Sequence, residues 1–141
     1  TLPAVDRGLE KSGRSRNDFE ITYSPFIISG KDQETFDKEK AAAKNRIAFY
    51  GSTPAYKNVL GVHGWGEMQI ELNGMSKQGK WQEMGELITD EMLNTFGVMD
   101  EPGKVVGAIK ERFGDIVDRT SGGFSFVDSE QRQEMVAALR A

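Results

Sequence analysis

The chain has 141 residues, a length that suits one domain with one sizeable hydrophobic core. Its 38% hydrophobic and 28% charged residues are typical of a folded globular protein and exclude a disordered chain. The net charge of -4 comes from 22 acidic and 18 basic residues with no basic run, so we expect no nucleic-acid partner.

The residue types also limit the chemistry. The absence of cysteine excludes disulfides, cysteine-ligated zinc, thiolate nucleophiles and iron–sulfur clusters, and with His63 as the single histidine we expect no metal site. No apolar run approaches the ~18 residues that cross a membrane, and the N-terminus has no signal pattern. We therefore expect a cytoplasmic protein without a membrane partner.

The N-terminal part predicts a helix and then a strand. Residues 3–11 have helical spacing, and Gly13 is a plausible end of this helix. Because the chain begins at Thr1 in what resembles a helix already under way, we expect a segment of a longer protein. Residues 19–28 are aromatic and β-branched, which is typical of a buried parallel strand, with a bulge or an edge at Pro25.

The central part predicts several helices. Asp32 is expected to cap a helix that ends near Gly51, and Pro54 opens a short helix through Leu60. The glycine-rich residues 61–66 predict a shaped loop. Two further helices follow, one from Glu67 to Gly79 and one that begins at Trp81 and contains Met84, Ile88 and Met92; we expect Trp81 and the methionines at 68, 75, 84 and 92 to lie in the core.

The C-terminal part alternates strands and helices. Residues 95–99 predict a strand, Pro102 opens a helix that closes at Gly114, and residues 116–117 begin another strand. Residues 124–127 continue that strand or form a separate segment, and Asp128 caps the last helix. This order predicts an α/β domain over residues 1–141 with a parallel sheet. A closed eight-stranded barrel takes ~250 residues, so the length suggests part of an α/β barrel.

Residues around the short central helix form the first candidate site. Tyr50, Ser52, Thr53 and Tyr56 surround a predicted helix N-terminus, where free N–H groups favour a phosphate or a carboxylate. Simple capping by Ser52 or Thr53 explains the same pattern. His63 is the only imidazole available as a general base near neutral pH, although a histidine between glycines is more often structural.

Two more candidates involve ring stacking and phosphate binding. Trp65 could stack on a planar ring. The loop at Ser121 and Gly122 follows a predicted strand and could hold phosphate through its N–H groups, although its spacing matches no established phosphate motif. Arg119 could bind an anion or form a surface pair with Asp118.

Several blocks of sequence resemble a known family. These are residues 47–56 (IAFYGSTPAY), 63–66 (HGWG) and 76–81 (SKQGKW), with supporting likeness at 12–15 (SGRS) and 112–119 (RFGDIVDR). They resemble the luciferase-like monooxygenase superfamily, in particular its coenzyme F420-dependent oxidoreductase branch. The resemblance covers nearly the whole chain.

The resemblance implies a (β/α)8 TIM barrel that binds F420, a deazaflavin, or FMN at the carboxyl ends of its strands. This chain would be the C-terminal portion, roughly strands six to eight with an inserted helical region. The activity implied is hydride transfer between an organic small-molecule substrate and the cofactor. The substrate-binding residues would be Tyr50, Tyr56, His63 and Trp65, and the cofactor-binding residues Ser52, Thr53, Arg119, Ser121 and Gly122.

A noncatalytic role is the alternative. A partial barrel leaves sheet edges and apolar faces open, and these are costly unless another chain covers them. We therefore expect a homo-oligomer, most simply a dimer.

Overall fold

The structure, a computed structural model, describes residues 2–121 and 123–140 and consists of helices with four short strands in that part of the chain. The helices are α1 Leu2–Ser12, α2 Gln33–Gly51, α3 Lys57–Gly61, α4 Met68–Lys77, α5 Trp81–Glu86, α6 Asp90–Phe96, α7 Pro102–Phe113 and α8 Ser129–Arg140. The strands are β1 Thr22–Tyr23, β2 Phe26–Ile28, β3 Gly97–Met99 and β4 Arg119–Thr120.

The strands form two parallel pairs, β1 with β4 and β2 with β3. Both β1 and β2 come from the segment predicted as one strand, and Ser24 and Pro25 separate them. Proline lacks the N–H that a continuous ladder needs, which explains the break. Parallel strands connected through helices confirm the predicted α/β class and agree with part of a (β/α)8 barrel.

Helices cover both faces of the β2–β3 pair. Ile28 belongs to a hydrophobic cluster built with α2 to α6, whereas its neighbour Ile27 packs on a second cluster built with α7 and α8. Val98 of β3 lies in the second cluster and Met99 packs on the first. Adjacent strand residues point to opposite faces, so one short pair of strands holds both clusters together.

The turn between β2 and α2 sets the direction of the longest helix. The carboxylate Oδ1 of Asp32 accepts the N–H of Thr35 at 2.8 Å, so the predicted cap is confirmed. Gly30 packs so closely on the first turn of α2 that a Cβ there would lie 2.2 Å from the backbone nitrogen of Phe36. The start of α2 therefore lies at the carboxyl end of β2, and its last turns run back toward the amino end.

The helix expected from Trp81 through Met92 is two helices. Leu87 and Ile88 leave the helical path, and the hydroxyl of Thr89 accepts the N–H of Met92 to cap α6. Met84, Ile88 and Met92 are buried as expected, and Met68 and Met75 pack on their cluster. The core position expected for Trp81 is wrong: its side chain is 49% exposed, because it begins α5 at the surface beside Phe49.

The last predicted strand starts later than expected. Ile116 and Val117 donate their N–H groups to the carbonyl of Phe113, which makes a turn after α7, and β4 begins only at Arg119. Residues 124–127 form no strand but bury Phe124, Phe126 and Val127 in the second cluster. Asp128 caps α8 as predicted, since its Oδ1 accepts the N–H of Gln131 at 2.9 Å.

The predicted short central helix has two parts. Residues 54–56 form a single 3₁₀ turn that leads into α3.

Each helix in the described part of the chain is too short or too polar to cross a membrane.

Substituting Gly30 by alanine tests the packing at the β2–α2 turn. The added Cβ must displace rigid backbone, so we expect Gly30→Ala to lower the free energy of unfolding by about 1–3 kcal/mol. Gly74→Ala is the matched control, because Gly74 lies inside α4 with open space at its Cβ position, and it should gain about 0.5–1 kcal/mol. Urea unfolding of both variants measures this, and equal stability of Gly30→Ala and the native chain would contradict the packing described.

Candidate functional site

Hydroxyl groups mark the carboxyl ends of the strands. Ser24 follows β1 and Ser121 follows β4, and their Oγ atoms lie 2.6 Å apart in a hydrogen bond. Since parallel strands end at the same edge of a sheet, the bond between the two serines joins the carboxyl ends of β1 and β4. The predicted site residue Ser121 thus lies at the edge where α/β barrels build their active sites.

Two further hydroxyls at the carboxyl ends of strands have no hydrogen-bond partner among the residues that the structure describes. Ser29 follows β2 directly and is fully buried, and the Oγ1 atom of Thr120, the last residue of β4, is also buried. A buried polar group without a partner costs about 1–3 kcal/mol, so native proteins retain few of them. Their position at strand ends is the feature of the site that points most directly to a ligand.

A cavity adjoins the carboxyl end of β4. It has a volume of about 670 Å³ and lies between α7, α8 and β4. Thr120 and Ser121 line it, together with the cationic side chains of Lys110, Arg119 and Arg140 and the carboxylate of Asp118, which pairs with Arg16. Its volume is in the range of sites that bind small molecules, and its positive side chains favour an anionic group.

Asp118 links the start of β4 to the segment before β1 through hydrogen bonds. Its Oδ2 accepts the N–H of Ile21 at 2.7 Å and a guanidinium N–H of Arg16 at 2.6 Å. The hydrogen bond from Ile21, followed by that from Arg16, holds the pKa of Asp118 below its usual value. The surface pair considered for Asp118 and Arg119 is not formed, because Arg119 pairs with Glu20 at 2.9 Å.

The residues predicted to open the short central helix have other roles. The hydroxyl of Ser52 donates to the carbonyl of Phe49 at 2.7 Å, so Ser52 caps the end of α2. Its own carbonyl accepts side-chain amide bonds from Gln69 and Asn73. Thr53 occupies the N-cap position before Pro54, as predicted, but makes no side-chain capping bond. Ser52 ends α2 instead of opening the next helix, and its hydroxyl is already used within the fold.

The predicted substrate-binding residues form two aromatic pairs. The ring centroids of Tyr50 and Tyr56 lie 5.7 Å apart, and both rings line an apolar cavity of about 210 Å³. His63 stacks on Trp65 at 5.2 Å with an interplanar angle of 26°. Both of these rings contact Phe96, which also lines the cavity of the tyrosines. The structure thus brings all four residues into one aromatic region.

This aromatic region lies at the amino ends of β2 and β3 and reaches the carboxyl end of β1. Phe96 immediately precedes β3, and the cavity is also lined by Phe26, the first residue of β2, and by Tyr23, the last residue of β1. The residue directly before Ser24 therefore contributes to the aromatic cavity. Gly122 lies outside the described residues, and within residues 2–121 and 123–140 no group of three histidine or acidic side chains is placed to hold a metal ion.

Sequence reasoning missed Ser24 and Ser29 as site residues. Each follows a short run of aromatic or β-branched residues, so its position directly after a strand was the available signal. The absence of a hydrogen-bond partner depends on packing between distant segments and has no sequence signal.

The low pKa of Asp118 predicts a pH dependence. A carboxyl whose pKa is lower in the folded state contributes stability that is present above its ordinary pKa of 3.8 and is lost as the pH falls through the folded value. We therefore expect Asp118→Asn to lower stability at neutral pH and to reduce the loss of unfolding free energy on acidification below about pH 5. Urea unfolding from about pH 3 to 7 measures the free energy of unfolding at each pH. The matched control Asp115→Asn should keep the native dependence of stability on pH. An unchanged dependence in Asp118→Asn would refute the stabilising role of this carboxylate.

Comparison with known proteins identifies the family. The model for luciferase-like monooxygenases matches residues 1–119. An uncharacterised protein of Mycobacterium tuberculosis is 44% identical over 119 residues, which are 84% of this chain and 35% of that protein, and a Mycobacterium bovis protein matches equally. The 5,10-methylenetetrahydromethanopterin reductase of Archaeoglobus fulgidus is 32% identical over 114 residues, 76% of this chain and 32% of the reductase.

The chain spans about a third of the length of these curated relatives. Since the family model covers most of its residues, the chain belongs to the luciferase-like monooxygenase family.

Proposed function

We propose that this chain is part of an oxidoreductase that transfers a hydride between a small organic substrate and a deazaflavin (F420) or flavin (FMN) ring. Membership of the luciferase-like monooxygenase family and similarity to a reductase support an oxidoreductase. The observation that carries the proposal for this segment is the pair of unpartnered hydroxyls, Ser29 and Thr120, at the carboxyl ends of parallel strands.

The residues at this edge fit a cofactor of this kind. Both F420 and FMN combine a planar ring that has carbonyl acceptors with a side chain that carries phosphate. The hydroxyls of Ser29 and Thr120 each carry a donor that has no partner among the described residues and would match such an acceptor. Lys110 and Arg140, on the cavity beside Thr120, supply positive charge for a phosphate.

The bound ring would supply the hydride chemistry, and the protein supplies binding, orientation and exclusion of water. The hydrogen bond between Ser24 and Ser121 holds the ends of β1 and β4 together, which fixes the position of the Thr120 hydroxyl. Arg119 adds a positive charge near the same edge, where Glu20 already compensates it. These residues bind and position; the proposal assigns them no proton transfer.

The proposed substrate contacts of Tyr50, Tyr56, His63 and Trp65 have less support. Their rings lie at the amino ends of β2 and β3, whereas the Ser29 hydroxyl lies at the carboxyl end of β2. The proposed cofactor contacts of Ser52 and Thr53 share this difficulty, because both follow α2 at the same end. A cytoplasmic location also stays a prediction.

A noncatalytic domain that oligomerises is the second candidate. It is favoured by the exposed aromatic side chains at the end of α2, among which Phe49 is 54% exposed. A dimer that binds neither F420 nor FMN would support this second candidate against the first.

Removing the unpartnered hydroxyls separates cofactor binding from folding. In the free chain Ser29→Ala and Thr120→Val each remove an unsatisfied buried group, so we expect each to raise the free energy of unfolding by about 1 kcal/mol. If the hydroxyls bind cofactor, the same variants should weaken binding of F420 or FMN by about tenfold. Urea unfolding and titration of cofactor fluorescence measure the two effects.

Ser76→Ala is the matched control for these variants. The hydroxyl of Ser76 already donates to the carbonyl of Asn73 at 2.9 Å, so its removal should leave cofactor binding unchanged. Native affinity in both Ser29→Ala and Thr120→Val, or no saturable binding of either cofactor, would contradict the proposed site.

A further inference from the structure

Two cavities of this chain meet at one pair of aromatic rings. The larger, of about 670 Å³ beside β4, has Thr120 and Phe113 in its lining and is called the charged cavity below. The smaller, of about 210 Å³, has Tyr23 in its lining and is called the aromatic cavity. The ring centroids of Tyr23 and Phe113 lie 5.0 Å apart, so these two rings form a wall that the cavities share.

Strand pairing brings the two cavities together at the backbone as well. Tyr23 and Thr120 are register partners in the parallel pair of β1 and β4. Neighbouring strands lie about 4.8 Å apart, so Tyr23 is one strand away from Thr120, whose hydroxyl has no partner among the described residues. The aromatic cavity therefore adjoins the strand end at which Thr120 is proposed to bind cofactor.

The lining of the aromatic cavity is neutral and mostly apolar. Its aromatic residues are Tyr23, Phe26, Tyr50, Tyr56 and Phe96. Among the described residues that line it none is charged, and the three tyrosine hydroxyls are the only polar side-chain groups. A charged group placed there would lose hydration without meeting an opposite charge in the lining, which is strongly unfavourable. The lining therefore favours an uncharged apolar group that can form a hydrogen bond with a tyrosine hydroxyl.

The floor of the aromatic cavity belongs to the hydrophobic core of the chain itself. Ile47 and Leu60 line it and are almost fully buried, as is Gly51 at the end of α2. A Cβ at Gly51 would lie 3.0 Å from a methyl group of Leu72, so α2 and α4 pack tightly here. The shape of this floor is therefore set by packing within the chain.

The volume of the aromatic cavity limits the size of the group that it can hold. An engineered apolar cavity of about 150 Å³ binds benzene, whereas sites for whole small molecules measure about 300–1,000 Å³. At about 210 Å³ the aromatic cavity has room for one substituted benzene ring but not for a deazaflavin or a flavin. It therefore suits one part of a substrate.

We propose that the aromatic cavity binds an uncharged aromatic ring of the substrate, while the cofactor lies across the shared wall at the charged cavity. This inference rests on the proposed function and adds the class of substrate, a small molecule whose ring carries no carboxylate or phosphate. Tyr23 and Phe113 lie between the two ligands, and Tyr50 and Tyr56 contact the substrate ring.

Titration with phenol tests the class of ligand. Phenol has one uncharged ring and one hydroxyl, and we expect it to shift the amide NMR signals of Tyr23, Gly51 and Leu60 with a Kd of about 1–10 mM. Benzoate has the same ring with a carboxylate and should bind at least tenfold more weakly, although the guanidinium of Arg46 stacks on Phe26 outside the lining. No saturable shift with phenol, or equal affinity for benzoate, would overturn the proposal.

A pair of valine variants tests the location of the bound ring. Val59 lines the aromatic cavity and is 46% exposed, so Val59→Asp adds a charge to the lining without entering the core and should weaken phenol binding at least tenfold. Val62 is 82% exposed and is not part of the lining, so the matched control Val62→Asp should bind phenol as the native chain does. Native affinity in Val59→Asp, or an equal loss in both variants, would overturn the proposed location.

Phenol titration with and without saturating F420 or FMN separates this inference from the proposed function. Because both ligands would contact the same pair of rings, we expect each to change the affinity of the other by the same factor, at least threefold. Cofactor binding with an unchanged affinity for phenol would overturn the shared wall and leave the proposed function standing. Phenol binding without saturable binding of either cofactor would contradict the proposed function instead.

Discussion

Parallel pairing of the segment from Thr22 to Ile28 is the interaction on which the structure depends. Its first part pairs with β4 and its second part with β3, so residues nearly 100 positions apart are joined within a few ångströms. The same segment presents neighbouring side chains to two hydrophobic clusters, one with α2 to α6 and one with α7 and α8. Without this pairing the two groups of helices would lose most of their common contact.

Polar groups reinforce the pairing at both later strands. Asp118 bonds to Ile21 and Arg16 at the start of β4. Arg112 of α7 donates to the carbonyls of Asn94, Thr95 and Gly97 where α6 passes into β3. Carbonyls at the end of a helix carry partial negative charge, so a guanidinium stabilises them there. These bonds fix the starts of β4 and β3, and β4 ends at Thr120, whose hydroxyl we propose to bind cofactor.

The order and type of most elements could be predicted from the sequence because their signals are local. The carboxylates of Asp32 and Asp128 cap the helices that follow them, and proline opens α7 as expected. Trp81 shows the limit of this approach, because helical spacing predicts which face of a helix is apolar but not which elements pack against that face. The unpartnered hydroxyl of Ser29 could not be predicted from the sequence, because the segments that pack around a buried hydroxyl are distant along the chain. The hydroxyl of Ser52 bonds locally instead, to the carbonyl of Phe49 within α2. The family, by contrast, was recognisable from residues 47–56 and their flanks.

The unpartnered hydroxyls make the proposed site testable in one experiment. The central claim is that Ser29 and Thr120, each at the carboxyl end of its strand, bind the cofactor. Amide hydrogen exchange of the chain with and without F420 measures this directly. The account predicts added protection at Ser29, Thr120 and Ser121 and none at residues 50–65. Protection confined to residues 50–65 would contradict it and would place the ligand among the aromatic side chains.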